Sequence, residues 1–406
     1  MTTIKAGVIG AGFIGVAHVE ALRRLGNVEV VAVAGSSLAS AQRKAQALHV
    51  PQAYGDWRQL IADPDVQVVH NCTPNYLHRE VNLATIAAGK HVVAEKPLGI
   101  NSQETAEMLQ AARQAGVVHA VNFNYRMYPL VQEARARLAA GELGPVRLVH
   151  GNYLQDWLLL DTDYNWRIEP AVGGPSRAMA DIGSHWCDLA QFVSGLLISE
   201  VCAEITTFLP VRRRPRRGTE TFAGVDQRPA EFDAVPITSE DYGSVLLGFQ
   251  GGARGVCVIS QVSAGHKNHL TLEVDGATGS LAWNQEEPNT LWLGHRGAPN
   301  EVLPKDPSLL HPQAQPYAHY PGGHGEAYPD GIANLFRNVY RFILEGPAAP
   351  RTGGRCVGPA GGSVNRPGDP RHDAADFPTF VDGHRAALVV EAILRSAQER
   401  RWVAVG

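Results

Sequence analysis

The sequence predicts an α/β fold: a doubly wound parallel sheet first, then an α/β domain built on a large, mostly antiparallel sheet. Three observations predict it. Short β-rich runs alternate with amphipathic helical stretches as far as Val121. From Val146 onward, strand-like runs follow one another across Gly- or Asn-containing turns. The first β-rich run breaks into Gly10-x-Gly12-x-x-Gly15 immediately before a helical pattern.

In the first half the predicted strands are Lys5–Ile9, Val28–Ala34, Val66–Asn71, His91–Ala94 and Val117–Val121. Between them lie VAHVEALRRLG, SLASAQRKAQALH, NYLHREVNLATIAAG and SQETAEMLQAARQAG, whose apolar residues recur at i, i+3 and i+4. Such alternation implies parallel strands with crossover helices. The second half offers VRLVHGNYL, YGSVLLGFQ, ARGVCVISQVSA, LTLEVDG and GSLAWN as strands, with a helix near Met179–Gly195. A helical pair, DGIANLFRNVYRFILEG and GHRAALVVEAILRSAQERR, ends the chain. The Arg-rich stretch from Val211 to Pro236 is expected to be a solvated surface loop, because no aromatic residues interleave its arginines. The Gly- and Pro-rich stretch after residue 350 is expected to be an excursion or a lid.

At 406 residues the chain suits two domains, and 44% apolar with 19% charged residues suits a well-cored globular protein. A net charge of −4 argues against nucleic acid as a partner. No apolar run approaches the roughly 18 to 20 residues that span a bilayer, and the N-terminus lacks signal-peptide character. The five cysteines form no CxxC pair and read as reduced thiols, so the expectation is a cytoplasmic protein.

The glycine motif follows a strand and opens a helix, the context that makes a dinucleotide site credible. Gly10 permits the tight turn, Gly12 lets backbone approach a pyrophosphate, and Gly15 lets helix and strand pack. With Phe13 and Ile14 they place the phosphates at a helix N-terminus. NAD sites usually carry a carboxylate at the end of the second strand. Here Gly35-Ser36-Ser37 has none, so Ser36 and Ser37 are compatible with NAD or NADP, with a slight lean to NADP. CTPNYLH ends the third strand, and its Thr73, Pro74, Asn75 and His78 suit a cofactor-lining turn, though Pro and Asn also suit any start of a helix.

Lys96 stands between Glu95 and Pro97 at the carboxyl end of a predicted strand, where open α/β sheets bind ligands. An ammonium held there can bind a hydroxyl and steady a developing alkoxide. Farther on, Asp181 and His185 are i and i+4 of a predicted helix, with Asp188 beyond. Imidazole titrates near neutrality and suits a general base. The same three side chains would also suit zinc, but no further strong ligand stands at metal-site spacing, so no metal is expected. A capping aspartate with a structural histidine is the plainer alternative.

GAGFIG, AEKP and D-x-G-x-H-x-x-D, in this order, resemble the Gfo/Idh/MocA family of sugar and polyol oxidoreductases. The resemblance implies a Rossmann NAD(P)-binding domain over 1–125 and a substrate-binding and oligomerisation domain over 126–406. It places catalytic roles on Lys96, Asp181 and His185, and puts Glu95 and Lys96 beside the cofactor. It also implies hydride transfer between NAD or NADP and a carbinol carbon of a sugar, anhydrosugar or cyclic polyol, in a homodimer or homotetramer. NFNYRMYP, NYLQDW, YNWR and the late PGGH are most similar to the branch with levoglucosan and inositol dehydrogenases. That likeness puts Asn124, Tyr125, Arg126, Trp157, Trp166, Arg167 and His324 around the substrate. An NAD-dependent glycosidase of the same family and a non-catalytic dinucleotide sensor are the rival expectations.

Overall fold

A computed structural model describes residues 3–216, 232–346 and 375–406. The chain forms two compact units. The first holds the described residues through Met127, then 327–346 and 375–387; the second holds the rest. The expected division at 125/126 lies beside the first break, and residues 327–346 and 375–387 group with the first unit.

The first unit begins β1 (Ile4–Ile9), α1 (Phe13–Arg23), β2 (Val28–Ala34), α2 (Leu38–Ala47), β3 (Gln52–Tyr54) and α3 (Trp57–Ala62). It continues β4 (Val68–Asn71), α4 (His78–Ala87), β5 (His91–Ala94), α5 (Ser102–Ala115) and β6 (His119–Val121). The six strands are parallel in the order β3-β2-β1-β4-β5-β6, the doubly wound arrangement that binds dinucleotides where the strand order reverses. The strands read as continuous apolar runs because both faces are covered by helices. One core packs Ile9, Val31, Val69 and Val81 around Leu60; the other packs Val92, Met108, Leu109 and Phe123 against Phe380.

The second unit contains α6 (Pro129–Ala139), β7 (Val146–Leu154), α7 (Pro170–Gly173), α8 (Ser184–Ser194), β8 (Ile198–Thr206), β9 (Val211–Pro215) and β10 (Phe232–Pro236). Strands β11 (Tyr242–Phe249), β12 (Arg254–Ser260), β13 (His269–Gly276), β14 (Ser280–Asn284), β15 (Thr290–Gly294) and β16 (Glu301–Pro304) follow. Helix α9 (Tyr328–Glu345) belongs to the first unit, and α10 (Phe380–Glu399) is divided between the two before β17 (Val403–Ala404). The nine-stranded sheet runs β16-β15-β14-β13-β7-β12-β11-β8-β17, antiparallel throughout except for the β7–β12 pair. Trp186 of α8 is fully buried, and its indole N–H donates to the Thr271 carbonyl of β13 at 2.9 Å.

The expected Arg-rich surface loop is corrected at both ends. Val211–Pro215 and Phe232–Pro236 pair as an antiparallel ribbon. Arg212 is fully buried, and its guanidinium donates to Asp241 Oδ1 at 2.8 Å. A buried carboxylate 29 positions away stabilises an arginine that its own neighbourhood makes look solvated. The middle of that stretch, the Gly/Pro-rich excursion and Cys356 lie outside the described residues. Among the described residues no helix is long and apolar enough to cross a membrane.

Candidate active site

The glycine turn sits where the sheet's strand order reverses. Gly10 has φ of +94°, and a Cβ there would lie 2.3 Å from the Cys72 carbonyl oxygen. A Cβ at Gly15 would lie 2.0 Å from the Gly10 carbonyl, so these two glycines hold chain against chain. Gly12 differs: its backbone is extended, and a Cβ there meets nothing within 4 Å. It caps α1 and borders open space, as a backbone that approaches a pyrophosphate must. Phe13 is exposed and Ile14 half-buried beside it. The residues present fit a dinucleotide.

Ser36 and Ser37 are exposed at the end of β2, and the Ser37 hydroxyl accepts from the Ser40 N–H at 3.3 Å, capping α2. Thr73 hydrogen-bonds Asn71 through its hydroxyl at 2.7 Å, and Pro74 and Asn75 lead into α4. His78 is buried with its ring nitrogens 2.7 Å from the Pro97 carbonyl and 2.8 Å from that of Thr73. Burial lowers its pKa against the pull of those two carbonyls. His78 thus straps the β4 turn to the Lys96–Pro97 segment, whose peptide bond is cis.

Glu95 turns inward from the end of β5. Its Oε1 meets His18 Nε2 at 2.9 Å and accepts from the Asn122 amide at 2.6 Å; its Oε2 accepts from the Lys96 N–H at 3.2 Å. Burial pushes the Glu95 carboxyl up, but the His18 and Asn122 hydrogen bonds and nearby Lys96 outweigh it and bring it down to about 2. Asn124, Tyr125 and Arg126 form a buried turn after β6. Arg126 is ion-paired with Asp382 at 2.9 Å.

In the second unit, Met179–Gly183 forms a single π-turn before α8, wider than the α spacing assumed from sequence. Glu240 anchors its start: one carboxylate oxygen accepts from Ser176 Oγ at 2.6 Å and from the Arg177 and Met179 N–H groups at 2.9 Å. Asp181 Oδ2 accepts from Gln261 Nε2 at 2.9 Å, and its Oδ1 lies 3.6 Å from Arg167 Nε. The Arg167 guanidinium lies over the rings of Trp166 (4.4 Å) and Trp157 (5.8 Å). His185 is buried 6.4 Å, ring to ring, from Tyr153. Tyr153 and Gln155 both donate to Asn268 Oδ1, at 2.5 and 2.9 Å, and Gln155 accepts the Trp157 indole N–H at 2.8 Å.

Trp157, Trp166, Arg167 and Asp181 thus lie together, and Gln261, which carried no signal in the sequence, joins them. His324 stands exposed, its ring 3.3 Å from the Gly322 carbonyl. Among the described residues, the two histidine–carboxylate groups spaced to suit a metal are His266, His269, Glu286 and His150, Glu273, Asp275; neither includes Asp181 or His185.

Residues 4–123 match the model of an oxidoreductase family with an NAD-binding Rossmann fold, and residues 131–282 match the GFO/IDH/MocA C-terminal domain. The levoglucosan dehydrogenase of Pseudarthrobacter phenanthrenivorans is 30% identical over all of this chain and 99% of its own. The chain belongs to the GFO/IDH/MocA oxidoreductase family. Its architecture matches a levoglucosan dehydrogenase in complex with NADH and levoglucosan with a TM-score of 0.82 and 27% identity, covering both chains fully. An inositol dehydrogenase homolog from Azotobacter vinelandii, complexed with NAD+, matches with a TM-score of 0.82 and 26% identity over 99% of this chain and 97% of that one. This GFO/IDH/MocA member is a nicotinamide-dependent dehydrogenase acting on CH–OH groups, with an NAD-binding Rossmann domain.

Proposed function

We propose that this dehydrogenase oxidises a ring carbinol of a sugar, anhydrosugar or cyclic polyol. The observation that carries the reading is the Trp157–Trp166–Arg167–Asp181 group. Aromatic faces beside a charged, hydrogen-bonding edge suit a polyhydroxylated ring, with apolar C–H faces and polar rim. The full-length likeness to an enzyme bound to levoglucosan supports it. Bound NAD supplies the hydride acceptor. Gly10, Gly12, Phe13, Ile14 and Gly15 would hold its pyrophosphate, Thr73, Pro74 and Asn75 would line its cleft, and His78 and Glu95 would support that wall.

Lys96 binds the reacting hydroxyl and stabilises negative charge on its oxygen. His185 takes the hydroxyl proton, and Asp181 orients the imidazole. Asn124, Tyr125, Trp157, Trp166, Arg167 and His324 contact the substrate, while Arg126 fixes the Asn124–Tyr125 turn through Asp382. No carboxylate at Gly35-Ser36-Ser37 repels a 2′-phosphate, so NADP is tolerated beside NAD. We also propose a homodimer or homotetramer built through the open face of the nine-stranded sheet, where Leu246, Val256 and Val302 are exposed. Light scattering of the purified protein tests this; a monomer at micromolar concentration would contradict it.

The activity is tested by incubating pyranoses, anhydrosugars and inositols with NAD or NADP and following reduced nicotinamide. Net cofactor reduction with a free sugar is expected. Cleavage of an aryl glycoside without net reduction would replace dehydrogenation by the glycosidase reading, and cofactor binding without turnover of any sugar would favour the sensor.

A further inference from the structure

Behind the Lys96 strand end a chain of buried polar groups runs to Glu95, and its other members have no part in the proposed chemistry. His18, on α1 just beyond the glycine turn, and His70, on β4, are fully buried. The Tyr340 hydroxyl lies 2.9 Å from His70 Nε2, His70 Nδ1 lies 3.0 Å from His18 Nδ1, and His18 Nε2 lies 2.9 Å from Glu95 Oε1. Phe336 packs edge-on against both imidazoles, with ring centroids 4.8 and 4.7 Å away, and fixes their planes. The Cys72 thiol lies 3.3 Å from His18 Nδ1.

One run of donors satisfies this chain. Burial holds His70 well below its ordinary pKa, so it carries a single N–H. Tyr340 donates to His70 Nε2, His70 Nδ1–H donates to His18 Nδ1, and His18 Nε2–H is left for Glu95. The carboxylate keeps the charge and passes the constraint on, because its second oxygen accepts the Lys96 N–H. Burying such a set of groups costs desolvation that well-packed apolar side chains would avoid, so stability alone does not account for it.

We propose that His18 is a positioning residue for Lys96: through Glu95 it ties the helix that opens at the glycine turn to the strand end that carries the lysine. The helix that receives the cofactor's phosphates and the ammonium that meets the substrate thereby keep one geometry. This rests on the reading of Lys96 given above.

The test compares His18→Leu, His18→Gln, Glu95→Gln and Lys96→Ala in the full chain. His18→Leu removes the donor to Glu95 with little change in volume; His18→Gln restores an N–H at similar reach. Hydrogen bonds to charged groups are strong enough that losing one is expected to lower kcat roughly tenfold or more. NAD affinity by fluorescence should hold in His18→Leu, the Tm should fall because buried Glu95 and His70 each lose a partner, and His18→Gln should recover most of the activity. Glu95→Gln, with one acceptor oxygen where two are used, should lower kcat likewise. The probe is levoglucosan, or the sugar turned over fastest in the screen above. A substrate-free readout is hydrogen exchange of the Lys96 amide, expected to quicken in His18→Leu and Glu95→Gln.

Full kcat with unchanged Lys96 exchange in both variants overturns the proposal, as does an equal loss in His18→Gln and His18→Leu. If Lys96→Ala is itself active, the reading of the lysine fails first. If Lys96→Ala is inactive while His18→Leu is fully active, only the positioning role falls. Should His18→Leu not fold, Glu95→Gln decides by the same two readouts.

Discussion

The Gln261 side-chain amide donates to Asp181 Oδ2 at 2.9 Å, while Arg167 approaches the other oxygen at 3.6 Å. Asp181 is thus held from two sides by residues that come from the end of β12 and from the loop before α7. Gln261 is fully buried, so its amide has little freedom to swing away.

Replacing Gln261 by Leu should therefore lower kcat by about tenfold while leaving NAD affinity unchanged, since a hydrogen bond to a charged group is worth about 1.5–3 kcal/mol. Steady-state kinetics with cofactor titration check it. A rise in KM for NAD with unaltered kcat would mean that Gln261 does not act through Asp181.

The three glycines of the turn should separate by phenotype. Gly12→Val places its side chain in open space and should abolish dinucleotide binding in a folded protein. Gly10→Ala and Gly15→Ala drive a methyl into backbone carbonyls and should lower Tm as well. Calorimetric titration with NAD, paired with thermal unfolding, distinguishes them; unchanged affinity in folded Gly12→Val would refute the assignment.

Glu95 sets an acid limit on stability. Its pKa falls from 4.5 to about 2 on folding, so the ionised carboxylate stabilises the native state above pH 4.5, and that contribution is lost as pH falls toward 2. The amount is on the order of 3 kcal/mol. Urea unfolding over that window should show a shallower pH dependence for Glu95→Gln than for the wild type. Parallel curves would show that Glu95 is not the group responsible.

Cofactor choice is tested at the end of β2. Ser36→Asp adds the carboxylate that Gly35-Ser36-Ser37 lacks and should raise KM for NADP severalfold more than KM for NAD. Equal effects on both cofactors would place the ribose elsewhere.

What could be read from the sequence followed from how each signal arises. Val28–Ala34 and His91–Ala94 were legible because buried parallel strands are continuous apolar runs. Gln52–Tyr54 was not, because three residues starting with glutamine carry no period. The β9–β10 ribbon was hidden because Arg212 depends on Asp241, a partner that no local pattern reveals. Lys96 announced itself by standing between a strand and a proline. Gln261 gave no such signal, since a polar residue after a strand looks like any turn. The π-turn at Asp181 was invisible for a related reason: it is fixed by Glu240, far along the chain.

The central claim is that Lys96 and His185 carry the proton chemistry of alcohol oxidation. Its most direct measurement is single-turnover reduction of NAD by His185→Ala and Lys96→Ala across pH, beside NAD affinity. His185→Ala should lose about 10²–10⁴-fold in rate, the usual worth of a general base, and should lose the limb of the pH profile that reports imidazole deprotonation. Lys96→Ala should lose as much or more, and both should bind NAD as the wild type does. A His185→Ala enzyme with near-normal rate and an unaltered pH profile would contradict the account and leave Lys96 as the base.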